Sequence, residues 1–142
     1  MINYKNLRFI KNDLHCNAVR ICGLDIDRLV KASEVALKRG LEVWLSPGDV
    51  EQESGKDTRL HRGRAAAAEK LRSEWPEQLV LSVGSEVTLF TKGIVPGNTF
   101  VERLRNPSLR ETVKAGKHNK LLDAFLAKAN EAVRQVFHGQ VT

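Results

Sequence analysis

The chain has 142 residues, 42% hydrophobic and 28% charged, with a formal net charge of +6. That is enough for one domain with its own core, and no apolar run approaches the ~20 residues of a membrane span. Met1-Ile2-Asn3-Tyr4-Lys5-Asn6 lacks the hydrophobic stretch of a signal peptide, so a cytoplasmic chain without membrane association is expected. Lys and Arg number 23 against 17 Asp and Glu, yet the excess is not gathered into one run, and nucleic-acid binding is not expected. Cys16, Cys22 and four scattered histidines offer no zinc spacing, so neither a metal nor a cofactor is implied. The two cysteines flank a predicted strand at an even spacing and face one side of it. An extended strand holds them ~20 Å apart, which rules out a bridge, and they read as small core residues.

In chain order, Tyr4, Leu7, Ile10 and Leu14 recur at three- and four-residue spacing and predict a short helix over 3–14. Asn17 to Gly23 (NAVRICG) reads as a strand ended by glycine. Asp25 or Asp27 then caps a helix whose inward stripe is Ile26, Leu29, Val30, Ser33, Ala36 and Leu37, with Lys38 and Arg39 at its negative end and Gly40 closing it. A second strand runs from Leu41 to Pro47, and the polar, glycine-bearing stretch 48–57 is a loop.

Thr58 is a candidate cap for the next helix, with a stripe of Leu60, Arg64, Ala67, Ala68, Leu71 and Trp75. Its Ala65–Ala68 run permits close approach to a sheet, and Pro76 stops it. Leu79-Val80-Leu81-Ser82-Val83 reads as a strand buried on both faces, and Glu86 follows where that strand opens into a loop. Residues 87–107 form the longest irregular segment, a length that in compact domains marks function or disorder. Ser108 and Glu111 match a capping box, and Leu122 through Phe137 carry a helix, with a break near Gly116. Gly139-Gln140-Val141-Thr142 looks like the start of another strand.

Strands alternating with helices predict an α/β fold with a parallel sheet, in a single domain over 1–142. No glycine-rich phosphate loop follows any strand, which disfavours a doubly wound nucleotide-binding sheet. The remaining architecture is a run of units from a (β/α)8 barrel, where loops after the strands build the site. Polar candidates stand at three strand ends: Arg20, Ser46 and Glu86.

These segments, Asn17–Ile21, Gly40–Pro47 and Val83-Gly84-Ser85-Glu86, resemble barrel strands two, three and four of retaining glycoside hydrolases. In that clan the second strand ends in an arginine, matched by Arg20, and the fourth in an Asn-Glu pair whose Glu is the acid/base, matched by Glu86. Ser85 stands where the family has asparagine, and a serine hydroxyl keeps one donor toward the sugar. The resemblance implies a partial (β/α)8 barrel, a fragment or half of a larger one, with strand one before Met1 and the nucleophile on a strand outside this chain. Retaining hydrolysis needs two carboxylates about 5–5.5 Å apart. Glu42 lies in mid-strand, and Glu51 and Glu53 lie on the polar loop. Alone, the chain is therefore not expected to complete the reaction.

The resulting expectations are these. Glu86 is the general acid/base, with the raised pKa that burial at a barrel mouth would supply. Arg20 orients carboxylates through its fork of donors or, as the alternative, pairs structurally with Glu42 or Glu86. Ser46, Ser85 and Phe90 contact a carbohydrate substrate, Phe90 as an exposed platform, while Trp44 reads as core and His61 and His118 as exposed helix residues. The competing reading is a non-catalytic half barrel that covers its open sheet edges by self-association or by pairing with another chain.

Overall fold

Strands and helices alternate in the computed structural model, which describes residues 5–48, 52–53 and 58–142. Helix α1 (Lys5–Asn12) leads into strand β1 (Ala18–Gly23), followed by α2 (Ile26–Leu37) and β2 (Glu42–Pro47). A two-residue strand β3 (Gln52–Glu53) precedes α3 (Thr58–Glu74) and β4 (Leu79–Leu81). The next stretch holds α4 (Val87–Phe90), β5 (Thr91–Lys92), α5 (Phe100–Leu104) and α6 (Leu109–Lys114). Helix α7 (Asn119–Arg134) then returns the chain to β6 (Gln140–Val141). The fold is mixed α/β, with a parallel four-stranded sheet in the order β1-β2-β4-β6 and a separate β3-β5 pair. No described helix is long and apolar enough to cross a membrane.

The order of the main sheet is the order of the chain, and its helices share one face. Val19 and Ile21 of β1, Val43 and Leu45 of β2, Leu79 and Leu81 of β4 and Val141 of β6 point to that face. There they meet Leu7 of α1, Leu29, Ala36 and Leu37 of α2, Ala65, Ala68 and Leu71 of α3, and Val133 and Phe137 beside the end of α7. Alternation along each strand follows from the pleat, which sends successive side chains to opposite faces. Ala65 and Ala68 lie at zero exposure because a methyl lets α3 sit close against the sheet, as the alanine run predicts. Helix α2 starts where Asp25 Oδ1 accepts from the Arg28 backbone N–H at 3.1 Å, so Asp25 rather than Asp27 is the cap.

Strand β6 is steered from α3. Arg72 donates from Nε and Nη2 to the Glu69 carboxylate, both at 2.7 Å, and Glu69 Oε2 also accepts from the His138 backbone N–H at 3.1 Å. The bonds from Arg72 hold the Glu69 carboxyl below its ordinary pKa, helped by the His138 N–H and opposed by burial. A Cβ on Gly139 would lie 2.5 Å from Arg72 Cδ and 2.8 Å from the Phe137 ring, so only glycine lets the chain pass here without displacing them.

Several expectations are corrected. The α3 stripe runs through His61, Arg64, Ala65, Ala68 and Leu71, while Leu60 is exposed. Leu14 is exposed and lies beyond α1. Cys22 is exposed and Cys16 sits before β1, so they are not paired core residues; Cys22 lies on the sheet face opposite the one packed by α1, α2, α3 and α7. Residues 87–107 are not one irregular loop but three short elements, and Gln52–Glu53 of the expected 48–57 loop pair with one of them. Ser108 forms no capping box; its Oγ and backbone N–H instead bond Asn106 Oδ1 at 2.8 and 2.9 Å. Tyr4, Glu51, the Glu53 side chain and the Thr58 cap lie outside the description.

Candidate functional site

All four strands of the main sheet run the same way, so their carboxyl ends share one rim, the place where loops of such sheets build sites. On the face away from the helices the register sets Arg20, Trp44, Val80 and Gln140 in one row. Cys22 and Ser46 form the next pair toward the rim. Arg20 Nη2 donates to Ser46 Oγ at 3.0 Å, joining two of the expected site residues across β1 and β2. The structural alternative for Arg20, an ion pair with Glu42 or Glu86, is not what its guanidinium makes. Glu42 Oε1 instead accepts from Trp44 Nε1 at 2.6 Å.

Trp44 is 41% exposed on this face, opposite the helix-packed one, which corrects the expectation of a core tryptophan. In a one-sided sheet the odd and even positions of a strand meet different surroundings, and Trp44 is in the set that faces away from the helices.

Glu86 follows β4 by five residues and opens α4 as its N-cap, with φ 47° and ψ 40°. That is the left-handed region, uncommon for a residue with a Cβ and a form of strain that clusters at functional positions. Its carbonyl accepts from the N–H groups of Leu89 and Phe90 at 2.9 and 3.0 Å, so the turn is locked while the carboxylate stays exposed. The burial expected of a general acid is therefore not supplied by the described residues. Gly84 makes the preceding bend possible: a Cβ there would fall 2.4 Å from Val87 Cγ2. Ser85 is half-buried beside Glu86.

The loop behind Glu86 is organised by a residue that sequence reasoning passed over. Arg103 on α5 has zero exposure, and its guanidinium donates to the carbonyls of Leu89 at 2.5 Å and Gly97 at 3.1 Å, with a long 3.5 Å contact to that of Phe90. Gly97, at φ 137°, has room for no side chain, because its Cβ would lie 2.7 and 2.8 Å from Arg103 Cγ and N. Phe90 is half-buried and tilted against Phe100, ring centroids 5.1 Å apart, so it is not the exposed platform expected. Nothing in a local pattern marks Arg103; an arginine among polar neighbours reads as surface until its carbonyl partners are known.

His61 and His118 are both buried, against expectation. His61 meets Phe125 edge-on at 5.8 Å, and with Arg64, Pro47, Leu81, Ser82, Val83 and Val133 it lines a crevice whose interior admits no more than about a single water. That crevice is too small for a sugar. His118 Nδ1 has no hydrogen-bond partner among the described residues. Nor do three or more His, Cys, Asp or Glu gather there as a metal site requires.

Neither a protein-family model nor a curated protein matches the chain. Function thus rests on the geometry: an arginine–serine pair and an exposed tryptophan on the sheet face opposite the helices, and a strained glutamate at the rim.

Proposed function

We propose that the chain is a glycosidase-like barrel segment, with Glu86 as the general acid/base and Arg20 and Ser85 contacting the sugar; Ser46, expected as a further contact, is buried at 1% exposure and instead holds Arg20. The observation that carries this reading is Glu86 itself. It is a carboxylate on a residue in a left-handed turn, five residues beyond the carboxyl end of a parallel strand. In sheets wound in chain order, that is where a proton-transferring group meets a substrate. The bond to Ser46 fixes the exposed Arg20 guanidinium, whose remaining N–H groups suit hydroxyl and carboxylate oxygens. Glycosidic hydrolysis calls for a second carboxylate, and Glu42, engaged with Trp44, is not offered for it. The chain's own role is recognition and proton donation.

Calorimetric titration with a panel of mono- and disaccharides tests this. Arg20→Ala should weaken binding of the recognised sugar about tenfold or more, since a hydrogen bond to a charged group contributes about 1.5–3 kcal/mol. Glu86→Gln should preserve the fold and change the affinity for basic sugar analogues most. Binding that is indifferent to both substitutions removes the reading.

A further inference from the structure

We propose that Arg103 is a positioning residue for Glu86: by gripping the far end of α4 it imposes the left-handed backbone of Glu86 and fixes where the carboxylate stands. The coupling between the two residues stands on the geometry of the loop; its use in proton transfer rests on the glycosidase-like reading.

Nothing at Glu86 itself accounts for its conformation. The caps Asp25 and Thr99 take extended backbone, with φ −87° and −116°, and their side chains accept from the Arg28 and Glu102 N–H groups. That is the ordinary behaviour of a helix N-cap. Glu86 caps α4 at φ 47°, and its side chain makes no capping bond. The left-handed region is unfavourable for a residue with a Cβ, and it persists only where the surroundings over-determine it.

The surroundings act from both sides. Ahead of Glu86, the Ser82 N–H donates to the Leu45 carbonyl of β2 at 2.8 Å, and Ser82 Oγ donates to the Gly84 carbonyl at 2.9 Å. Those bonds tie the bend to the sheet. Behind Glu86, Arg103 Nε donates to the Leu89 carbonyl at 2.5 Å, with Nη2 in longer contact with that of Phe90. The N–H groups of the same two residues donate to the Glu86 carbonyl. Leu89 and Phe90 thus face Glu86 with their N–H groups and Arg103 with their carbonyls, so Glu86 cannot turn without disturbing the Arg103 bonds.

Arg103 is itself a fixed post. Its Nη1 donates to the Gly97 carbonyl at 3.1 Å and its backbone N–H to that of Thr99 at 3.0 Å. Asn106 Nδ2 donates to the Pro96 carbonyl at 3.1 Å, and Glu102 Oε2 accepts from the Asn98 N–H at 2.8 Å, so α5 folds back on the segment before it. Ile94 and Val95 anchor that segment on Phe125 and Ala129 of α7. A guanidinium suits the post because its planar fork spans carbonyls from two segments, whereas an ammonium is a single point.

A thermodynamic cycle in denaturant unfolding of the full chain tests the proposal, with Glu86→Gly and Arg103→Met made singly and together. Glycine at 86 removes the left-handed cost. The effect of Glu86→Gly on the folding equilibrium constant should therefore be about 5- to 30-fold more favourable in wild type than in Arg103→Met. The extra freedom of glycine in the unfolded chain is the same in both backgrounds and cancels. Additive effects overturn the proposal. If Arg103→Met does not fold, Ser82→Ala, which releases the other side, takes its place: the gain from Glu86→Gly should shrink, and an unchanged gain overturns the proposal. The nuclear Overhauser effect between the amide and α protons of residue 86, strong at positive φ, should weaken in folded Arg103→Met. An unchanged effect also overturns the proposal. Titration with basic sugar analogues separates the two readings: Glu86→Gln should change their affinity in wild type and not in Arg103→Met, and an equal change in both overturns the positioning role. A wild-type chain that binds no sugar removes the glycosidase-like reading, and the cycle still decides whether Arg103 holds Glu86.

Discussion

The helix-covered sheet and the segment from Gly84 to Asn106 hide their backbone by different means. The first uses repetition: strands satisfy one another's amides while Val, Leu and Ala at periods of two and 3.6 fill one face. The second has one two-residue strand and helices of four and five residues, too short to satisfy their own carbonyls. It borrows donors from the buried Arg103 instead, and packs Ile94 and Val95 onto Phe125 and Ala129 of α7. Stability in the first region is spread over many contacts, whereas in the second it converges on one side chain. The segment that hangs on one side chain is also the one that presents Glu86.

Substitutions should expose that difference. Leu45→Ala, at zero exposure in the centre of β2, should cost about 2–5 kcal/mol in denaturant unfolding and loosen the whole molecule together. Arg103→Met should cost less, about 1–3 kcal/mol, by stranding the carbonyls it serves. Hydrogen exchange should then rise selectively in 86–104. Exchange rising equally in β2 and β4 would show that the two regions are not separable.

Helix capping sharpens the contrast on a smaller scale. Asp25→Ala should cost about 0.5–2 kcal/mol, because its carboxylate closes the first turn of α2. Ser108→Ala should stay within about 0.5 kcal/mol, because Ser108 bonds Asn106 and caps nothing. Equal losses at both sites would restore the capping box read from the sequence.

The smallest effect is in acid. Glu69 has a lowered folded-state pKa, so its contribution is fully present above its unfolded value of about 4.3 and is lost as pH falls through the lower folded value. Wild type and Glu69→Gln should therefore differ in unfolding midpoint at neutral pH and converge as pH falls through the lowered folded-state value. A gap that widens in acid would contradict the role given to Arg72.

These two kinds of encoding explain what was legible beforehand. The alternation of helices and strands, the Asp25 cap, the stop at Pro76 and the α7 stripe through Phe125, Ala129 and Val133 follow from local periodicity, and the sequence carries them openly. The positions of Glu86 beyond β4 and of Arg20 on β1 are also legible, because strand ends can be read from the sequence, while their roles belong to the proposal. The exposure of Trp44 and Cys22 is not legible because an apolar strand does not say which of its faces receives the helices. The burial of His61 and His118, expected as exposed, and the role of Arg103, which no sequence pattern marks, are not legible because a polar side chain's burial depends on partners distant in the chain, such as Phe125 for His61 and the Leu89 carbonyl for Arg103.

Chemical-shift mapping of the backbone amides during titration with the recognised sugar tests the central claim most directly. The rim assignment predicts perturbations at Arg20, Ser46 and Gly84 through Phe90, with the outer surfaces of α2 and α3 undisturbed. Perturbations centred on those helices, or none with any sugar, would contradict it.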